Sequence, residues 1–573
     1  MERANLRIIG RFEHRGGSPV VVPADKRIPY AVEIPRGKQL GAQEGQIVTA
    51  LIERFPDRLQ GPQGRVEEIL GNEWDPAIEI EMIIRGHDLR TGFPAEVVAE
   101  TEGLTASISR EETAGRRDFR DLFTVTIDGL DAKDFDDAVS IERREKGWRV
   151  WVHIADVSHY VRPGSALFEE AEVRATSVYL VDRVLPMLPE ILSNDVCSLR
   201  PQEERLTLSV EIDVGRSGDV ERYWIGEGII RSSARLTYEQ VDLHFSGESA
   251  YEAEVESLLS EMRRLSEALE GRRLSRGALN FETVEPKVVL DEEGRPQEIL
   301  VRERTPATQL IEETMILANE TVAEFMAARE APLVYRIHEE PDPAIIEQIY
   351  DIVYVLGYRG TLNLGRAEPS ELQAVIDFAS GRPEKLLINT LLIRAMQQAR
   401  YSTANRGHYG LASTAYCHFT SPIRRMPDLV VHHLVKQELG VVGSGRDALG
   451  EMTSRLPALA EESSVQEREA EAAGRESTDV KICEYMQRHI GDSFQGMISG
   501  VTSFGFFVEL ANTAEGLVHV SDLDDDLYGF EPQQFLLRGR RSGKIYRLGQ
   551  PVKVVLKRVR VGQRRLDFVA VGS

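Results

Sequence analysis

The sequence predicts an α+β multidomain protein with a small β-barrel at each end and a mixed α/β module between them. At 573 residues the chain exceeds what one hydrophobic core usually supports, so several domains are expected. Short β-like runs broken by Gly and Pro fill residues 1–90. Strand patterns mix with long helical patterns over residues 121–440. The composition, 42% hydrophobic and 28% charged, is that of a folded globular protein.

The N-terminal segment, residues 1–90, is predicted to form the first barrel. Its β-like runs are Leu6–Phe12, Pro19–Pro23, Tyr30–Ile34, Ile47–Ile52 and Arg65–Leu70. Aromatic side chains that could stack on nucleic-acid bases are sparse here. Base binding and a purely structural role therefore both remain open for this segment.

Residues 91–120 are polar and dense in charges of both signs, which predicts a linker. Within the central module, residues 121–440, one helix has an apolar stripe that predicts core packing. The stripe comprises Val255, Leu258, Leu259, Met262, Leu265 and Leu269. Residues 441–487 are predicted to be a helical connection, with a charged surface helix over Glu461–Lys481.

Four aspartates lie within ten residues: Asp128, Asp134, Asp136 and Asp137. The β-branched run before Asp128 predicts a strand, and Gly129 predicts the loop that follows it. Carboxylates this close repel one another unless a cation lies among them, and all-oxygen clusters suit Mg²⁺ or Mn²⁺. A solvated acidic loop is the alternative, but the apolar residues on both sides indicate burial. We therefore predict a metal site.

Six further motifs follow this acidic stretch in a fixed order. They are Trp151–Val157, Thr176–Tyr179, Pro186–Pro189, Leu310–Glu313 with Ala318–Asn319, Gly407–Ala412 and His418–Arg425. Together with the acidic stretch they resemble the signature of the RNB family, the catalytic module of ribonuclease II and ribonuclease R. The ordered set covers nearly the whole chain and is most similar to the ribonuclease R branch. The first barrel then resembles the cold-shock OB domain that precedes the RNB module in this family.

The resemblance implies a processive 3′-to-5′ exoribonuclease that hydrolyses single-stranded RNA to nucleoside 5′-monophosphates with Mg²⁺, or Mn²⁺, as cofactor. Structured RNA with a 3′ overhang is a further expected substrate. A catalytically inactive RNA-binding protein on an RNB scaffold is the alternative. Members of the ribonuclease R branch often carry additional N-terminal domains, so this chain is expected to be a short form or a shortened version.

The resemblance also assigns roles to individual residues. Asp128, Asp134, Asp136 and Asp137 match the metal-binding aspartates, and Asp136 and Arg424 match the catalytic pair. Tyr179 and Phe281 match an aromatic clamp on the terminal bases. Glu313 is expected to orient a ribose, with an ion pair on the helix surface as the alternative. Arg425 is expected to contact RNA, although a structural salt bridge is the favoured reading.

Residues 488–573 resemble the ribosomal S-one-type RNA-binding domain, another OB barrel. The resemblance places Phe504, Phe507 and His519 on an RNA-facing surface. Strand alternation predicts that Phe506 points into the core. The stretch Arg538–Arg565 holds eleven Lys or Arg and no Asp or Glu, which predicts a phosphate-binding track, with a solvated strand face as the alternative.

The formal net charge of -24 argues against a surface that coats nucleic acid, although RNA could lie in an internal groove where local charge decides. Three widely spaced cysteines, Cys197, Cys417 and Cys483, are typical of a reducing cytoplasm. No apolar run predicts an export signal or a membrane span. A cytoplasmic monomer acting on single-stranded RNA is therefore expected.

Overall fold

The computed structural model describes residues 7–25, 27–56, 60–75, 77–280, 285–382, 385–441 and 446–571. Two closed five-stranded barrels and a central seven-stranded sheet are its main β structures. The predicted α+β architecture is thereby confirmed. Within the described ranges, no helix has the length and apolarity that crossing a membrane would require.

The first barrel has the strand order β1-β2-β3-β5-β4. Its strands are β1 (Arg7–Arg15), β2 (Ser18–Pro23), β3 (Val32–Glu33), β4 (Gln46–Arg54) and β5 (Gln63–Asn72). Alternate side chains such as Phe12, Val21 and Val48 are fully buried and fill the interior. Each strand overlaps one of the five predicted β-like runs, because Gly and Pro end the strands where the sequence indicated.

Three short helices and a strand lead from this barrel to the central sheet. They are α1 (Ile78–Gly86), α2 (Ala95–Thr101), α3 (Arg110–Thr113) and β6 (Arg117–Asp118). The last part of the predicted linker thus joins the sheet, where β6 pairs with a neighbouring strand in parallel. The charged sequence of this segment does not indicate a strand. In the structure, Arg117 on β6 stacks on the rings of Phe119 and Trp224, 4.9 Å from each centroid.

The central sheet has the order β14-β7-β8-β9-β12-β13-β6. In chain order this part of the molecule comprises β7 (Val125–Asp128), β8 (Asp137–Arg144), β9 (Gly147–Ala155), α4 (Val157–Tyr160), α5 (Ala166–Arg174), β10 (Val178–Tyr179), β11 (Val184–Leu185), β12 (Glu204–Gly215), β13 (Val220–Arg231) and β14 (Ala234–Thr237). Strands β7, β9 and β12 are largely buried, as are Ala138, Val139 and Ser140 of β8, so the sheet forms the centre of the largest hydrophobic core.

Helices and small hairpins complete the central module. They are α6 (Tyr238–Phe245), α7 (Ala253–Ser275), β15 (Glu285–Leu290), β16 (Pro296–Arg302), α8 (Pro306–Ala327), β17 (Tyr335–Ile337), α9 (Pro343–Val355), α10 (Pro369–Ala379), α11 (Lys385–Ala395), β18 (Arg400–Ser402) and α12 (Met426–Glu438). The predicted apolar stripe of α7 is buried at every one of its positions. Helices α9 to α11 enclose a separate small core.

Two helices connect the central module to the C-terminal barrel, α13 (Arg446–Ser454) and α14 (Leu456–Met486). Helix α14 extends beyond the predicted Glu461–Lys481 at both ends. It is also more buried than its charged sequence indicates. Ser477 is fully buried, and Lys481 is buried beside Glu484, with which it forms an ion pair at 2.9 Å.

The second closed barrel has the order β19-β20-β21-β26-β25, with a three-stranded sheet inserted between β21 and β25. The strands are β19 (Ser493–Thr502), β20 (Gly505–Leu510), β21 (Glu515–His519), β22 (Tyr528–Glu531), β23 (Leu536–Gly539), β24 (Ile545–Arg547), β25 (Pro551–Arg560) and β26 (Arg565–Ala570). Phe506 is fully buried and stacks on Tyr546, which confirms its predicted core position.

Candidate active site

The four aspartates lie where two neighbouring strands separate. Strand β7 ends at Asp128 and strand β8 begins at Asp137, and residues 129–136 between them form what we call the acidic loop. The two strands pair only at Val125 and Val139, so their other ends diverge. This divergence leaves space for the carboxylates where β7 ends and β8 begins.

Hydrogen bonds from two later segments hold the acidic loop. The Ser198 hydroxyl donates to the carbonyl of Lys133 at 2.7 Å and accepts from the amide of Phe135 at 3.1 Å. The guanidinium of Arg235, on β14, donates to carbonyls of the first half of the loop. Neither Ser198 nor Arg235 belongs to a local sequence pattern that indicates chemistry, so neither was predicted to lie at the site.

Burial makes the negative charge of these carboxylates unfavourable. It raises the pKa of Asp128, Asp136 and Asp137, and for Asp128 the neighbouring aspartates raise the pKa further. One carboxylate oxygen of Asp128, Oδ2, is buried without a hydrogen-bond partner. Unpartnered buried carboxylate oxygens and like charges are the features that a divalent cation would compensate, so the donor set fits a hard cation.

The spacing of these side chains is looser than that of a finished metal site. Among the residues that the structure describes, no three His, Cys, Asp or Glu side chains are close enough together to hold a metal ion as they stand.

Asp136 is the most deeply buried of the four aspartates, and it contacts the segment that carries Arg424. Its Oδ1 accepts the main-chain amide of Ile423 at 2.8 Å, and its Oδ2 accepts Nε of Arg424 at 3.3 Å. Nη2 of Arg424 also donates to the Ser421 hydroxyl at 2.9 Å. The structure thus brings together the two residues predicted to be catalytic.

Arg425 points away from this pair and into the protein. It forms an ion pair at 2.7 Å with the fully buried Asp428, which also accepts the main-chain amide of Ser421. These contacts match the structural salt bridge favoured from the sequence. These contacts of Arg425 and Asp428 therefore stabilise the Ser421–Arg425 turn.

Tyr179 is the member of the predicted clamp that the structure describes, and Phe281 lies outside the described residues. The Tyr179 side chain is 47% exposed, and its hydroxyl lies 3.4 Å from Oδ2 of Asp134. Burial of the hydroxyl and the charge of Asp134 raise the pKa of Tyr179, so the phenol stays protonated. An exposed ring beside the acidic loop is available for stacking.

Glu313 has different surroundings from those expected of a ribose contact. It is only 2% exposed, and its carboxylate pairs with Arg273 at 2.6 Å and Arg304 at 3.3 Å. The alternative of an ion pair matches these contacts, except that the pair is buried rather than on the helix surface. The reason is that α8 is buried on nearly all sides, a property its periodicity did not reveal.

Tyr238 is a further residue near the carboxylates that the sequence analysis missed. It begins α6 directly after Thr237, which lies opposite Asp128 in the β7–β14 pairing. Burial raises the pKa of Tyr238, and the charges of Asp137 and Asp128 raise it further. Its position follows from the parallel pairing of β7 and β14, which the sequence alone does not show.

In the second barrel, Phe504 is 46% exposed and its ring meets that of Phe507 edge to face, with centroids 6.3 Å apart. His519 is exposed and lies opposite Gly505 in the β20–β21 pairing. Two of the predicted RNA-facing aromatic residues thus contact each other, and the third begins the turn beside them.

The predicted phosphate-binding track is partly neutralised. Six of its eleven basic residues form ion pairs with acidic residues from elsewhere in the chain. They are Arg538, Arg541, Lys544, Lys557, Arg560 and Arg564. The positive charge available to RNA is therefore smaller than the local sequence indicates.

Comparison with known families gives three matches along the chain. An RNB domain matches residues 116–440, a cold shock domain matches residues 21–94, and an S1 RNA binding domain matches residues 488–569.

Whole-chain relatives extend the same assignment. The chain is 42% identical to Ribonuclease R of Thermotoga maritima, covering 100% of this chain and 81% of that protein. It is 39% identical to Ribonuclease R of Escherichia coli, covering 99% of this chain and 71% of that protein. Among solved structures, Mycoplasma genitalium RNase R in complex with ribose methylated single-stranded RNA superposes with a TM-score of 0.94. It has 27% identity and covers 100% of this chain and 90% of that chain. The chain therefore belongs to the RNB family and, within it, to the ribonuclease R exoribonucleases.

Proposed function

We propose that this protein hydrolyses single-stranded RNA processively from the 3′ end and releases nucleoside 5′-monophosphates, with Mg²⁺ as its cofactor. The observation that carries the proposal is the contact between Asp136 and Arg424 beside the acidic loop. The RNA complex of the Mycoplasma genitalium relative supports single-stranded RNA as the ligand. A further complex of that relative, with double-stranded RNA, supports including structured RNA that has a 3′ overhang.

Asp128, Asp134 and Asp137 are the residues that would hold the metal, with Asp136 beneath them. Bound divalent cations supply charge neutralisation at the scissile phosphate, activation of the attacking water and stabilisation of the leaving 3′ oxygen. Because Asp128 has a buried oxygen without a partner, it has a free acceptor for this purpose.

Asp136 and Arg424 prepare the position of the phosphate. The Ile423 amide and the Arg424 guanidinium fix both oxygens of the Asp136 carboxylate. The Arg424 side chain is 42% exposed, whereas that of Asp136 is 5% exposed. The guanidinium can therefore reach a ligand while the buried Asp136 carboxylate holds it in place. A guanidinium placed this way stabilises the charge that develops on a reacting phosphate.

Tyr179 would hold the 3′-terminal base by stacking. Stacking on an aromatic ring is worth roughly 1–3 kcal/mol per base and does not depend on sequence. Each cleavage would remove the stacked nucleotide and let the next base take its place. This arrangement favours an exonuclease over an endonuclease, because a terminal-base contact has no use at internal sites.

The fold alone does not exclude an inactive binding protein. Yeast Ssd1, described as a pseudonuclease, shares the fold with a TM-score of 0.72 at 21% identity. The four aspartates and Arg424 favour catalysis here, because RNA binding alone does not need a buried carboxylate paired to an exposed arginine.

We also propose a cytoplasmic location. All three cysteines, Cys197, Cys417 and Cys483, are free and buried, as is typical of proteins from reducing compartments.

The test is a 5′-labelled single-stranded RNA incubated with Mg²⁺ and the protein, with products resolved by length. The proposal expects one short labelled remnant without intermediates. Asp136→Asn should bind RNA and leave it intact. Asp131→Asn is the matched control, since Asp131 lies in the same loop but is exposed to solvent. Intact RNA with the unaltered protein in both Mg²⁺ and Mn²⁺ would instead support the binding protein.

A further inference from the structure

We propose that Arg235 is a positioning residue that holds the acidic loop in the shape that takes up divalent cations. The inference rests on the proposed function. It concerns a side chain on β14, outside the loop and outside the set of candidate ligands.

One nitrogen of Arg235 serves three carbonyls of the loop. Nη2 lies 3.1 Å from the carbonyl oxygen of Gly129, 2.6 Å from that of Leu130 and 3.3 Å from that of Ala132. The guanidinium also lies 5.1 Å from the centroid of the Phe135 ring, within cation–π range. The side chain therefore contacts the loop near both of its ends.

Arg235 connects this half of the loop to the sheet. Strand β14 runs parallel to β7, with Arg235 opposite Thr126 and Thr237 opposite Asp128. In the part of the chain that the structure describes, no other side chain donates to these three carbonyls. Within this half, the amide of Ala132 donates to the carbonyl of Gly129 at 3.1 Å. The second half is held separately by Ser198.

Without the guanidinium, the carbonyls of Leu130 and Ala132 would lose their side-chain donor, and that of Gly129 would keep only the Ala132 amide. The contacts to Gly129 and Ala132 are half-buried, and losing a hydrogen-bond donor there is costly, so the loop would turn outward towards water. Such a movement would shift the backbone between Asp128 and Asp134, so these two carboxylates would change position relative to Asp136, which the Ile423 amide holds in place. Outer partners of metal ligands typically change metal affinity about 10- to 100-fold when they are removed.

A purely electrostatic role and a positioning role of Arg235 predict opposite changes in cation affinity when Arg235 is removed, which makes the proposal testable. Arg235 is close enough to Asp128 for its positive charge to lower the pKa of that carboxyl, against the effect of burial. If charge alone mattered, removing Arg235 would tighten the binding of a cation, because a repelling charge would be lost. If Arg235 positions the loop, its removal weakens cation binding.

The experiment measures Mn²⁺ binding to the full chain, without RNA, by electron paramagnetic resonance. For Arg235→Met we expect the dissociation constant to rise about 10- to 100-fold. The Mg²⁺ concentration for half-maximal RNA hydrolysis should rise in parallel. Arg235→Lys, which keeps the charge but not the planar fork, should also weaken binding, and it decides the matter if Arg235→Met fails to fold.

Arg302→Met is the matched control. The charge of Arg302 reaches Tyr238 at the same site, but among the described residues Arg302 makes no hydrogen bond to the acidic loop. Its removal should leave Mn²⁺ affinity unchanged or slightly higher. Unchanged or tighter binding by Arg235→Met would overturn the positioning role while leaving the proposed function intact. If the unaltered protein neither bound Mn²⁺ nor cleaved RNA, both proposals would fail.

Discussion

Arg424 and Asp136 are 288 residues apart in the chain, and Nε of one lies 3.3 Å from Oδ2 of the other. The pair joins a buried carboxylate to a half-exposed guanidinium. It therefore links the acidic loop to the turn that follows His418, and it fixes the position at which the Arg424 guanidinium could bind a phosphate.

Replacing Arg424 with lysine should reduce the rate of cleavage more than it reduces RNA affinity. The guanidinium donates to Asp136 and to the Ser421 hydroxyl at once, whereas one ammonium cannot span both acceptors in the same plane. Loss of one preorganised donor to a transition state typically costs about 10²–10³ in kcat. Single-turnover cleavage of labelled RNA measures this directly. Arg200→Lys, at an equally exposed arginine, is the control, and an unchanged kcat in Arg424→Lys would contradict the role.

Local patterns in the sequence were sufficient to predict the strands of the first barrel, the apolar stripe of α7 and the burial of Phe506. Each of these depends on spacing along one element, which hydrophobic periodicity reports. The clustering of the aspartates and the assignment of Arg424 depended on motifs, and the structure brings Asp136 and Arg424 into contact.

Contacts between distant segments could not be predicted in the same way. Ser198, Arg235 and Ile423 meet the acidic loop only because the sheet and its connections bring them there. For Glu313 the resemblance implied a ribose contact with an ion pair as the alternative, and nothing in its own helix reveals that Arg273 lies opposite. The positive charge of the basic track is smaller than its sequence indicates, because acidic partners such as Asp522 and Glu476 lie outside Arg538–Arg565.

Replacing Tyr179 with alanine should lengthen the final RNA remnant. Loss of one stacking contact costs roughly 1–3 kcal/mol, which matters most for the shortest RNA that the protein can hold. Cleavage of long RNA, which has many other contacts, should change less. Gel analysis of a 5′-labelled substrate gives the remnant length. Tyr354→Ala, at a similarly exposed tyrosine of α9, should leave that length as it is. A remnant of unchanged length in Tyr179→Ala would argue against the clamp.

Two exposed lysines of β25 should differ in their effect on RNA binding. Lys557 already pairs with Asp522 at 2.7 Å, whereas Lys553 has no acidic partner among the described residues. A free lysine that neutralises one phosphate of single-stranded RNA contributes about 0.7 to the slope of log affinity against log salt. Lys553→Gln should therefore lower the slope by about 0.7. Lys557→Gln should change it less, and fluorescence anisotropy at several salt concentrations makes the comparison. Equal slopes in both variants would exclude Lys553 from the RNA contact.

Buried histidines should make the protein less stable in mild acid, and His433 offers a clean test. Burial, together with the nearby Lys436 and His432, lowers the pKa of His433 to about 3. The Val161 carbonyl and Asp156 act in the opposite direction. The unfolded chain takes up this proton near pH 6.5, so it binds more protons than the folded chain between that pH and the folded pKa. Stability is thus fully present above pH 6.5 and falls as the pH falls, by about 2 kcal/mol per such histidine at pH 5.

His433→Gln removes the titrating group and keeps an N–H that can donate to the Val161 carbonyl, which His433 Nε2 contacts at 2.9 Å. Carboxylates and the other buried histidines titrate in both proteins, so the comparison between them isolates His433. We expect the Tm of the unaltered protein to fall more between pH 7 and pH 5 than that of the variant. Thermal unfolding followed by circular dichroism in matched buffers measures both. Parallel losses of Tm would show that His433 accepts its proton in the folded state as readily as in the unfolded one, which its burial on α12 argues against.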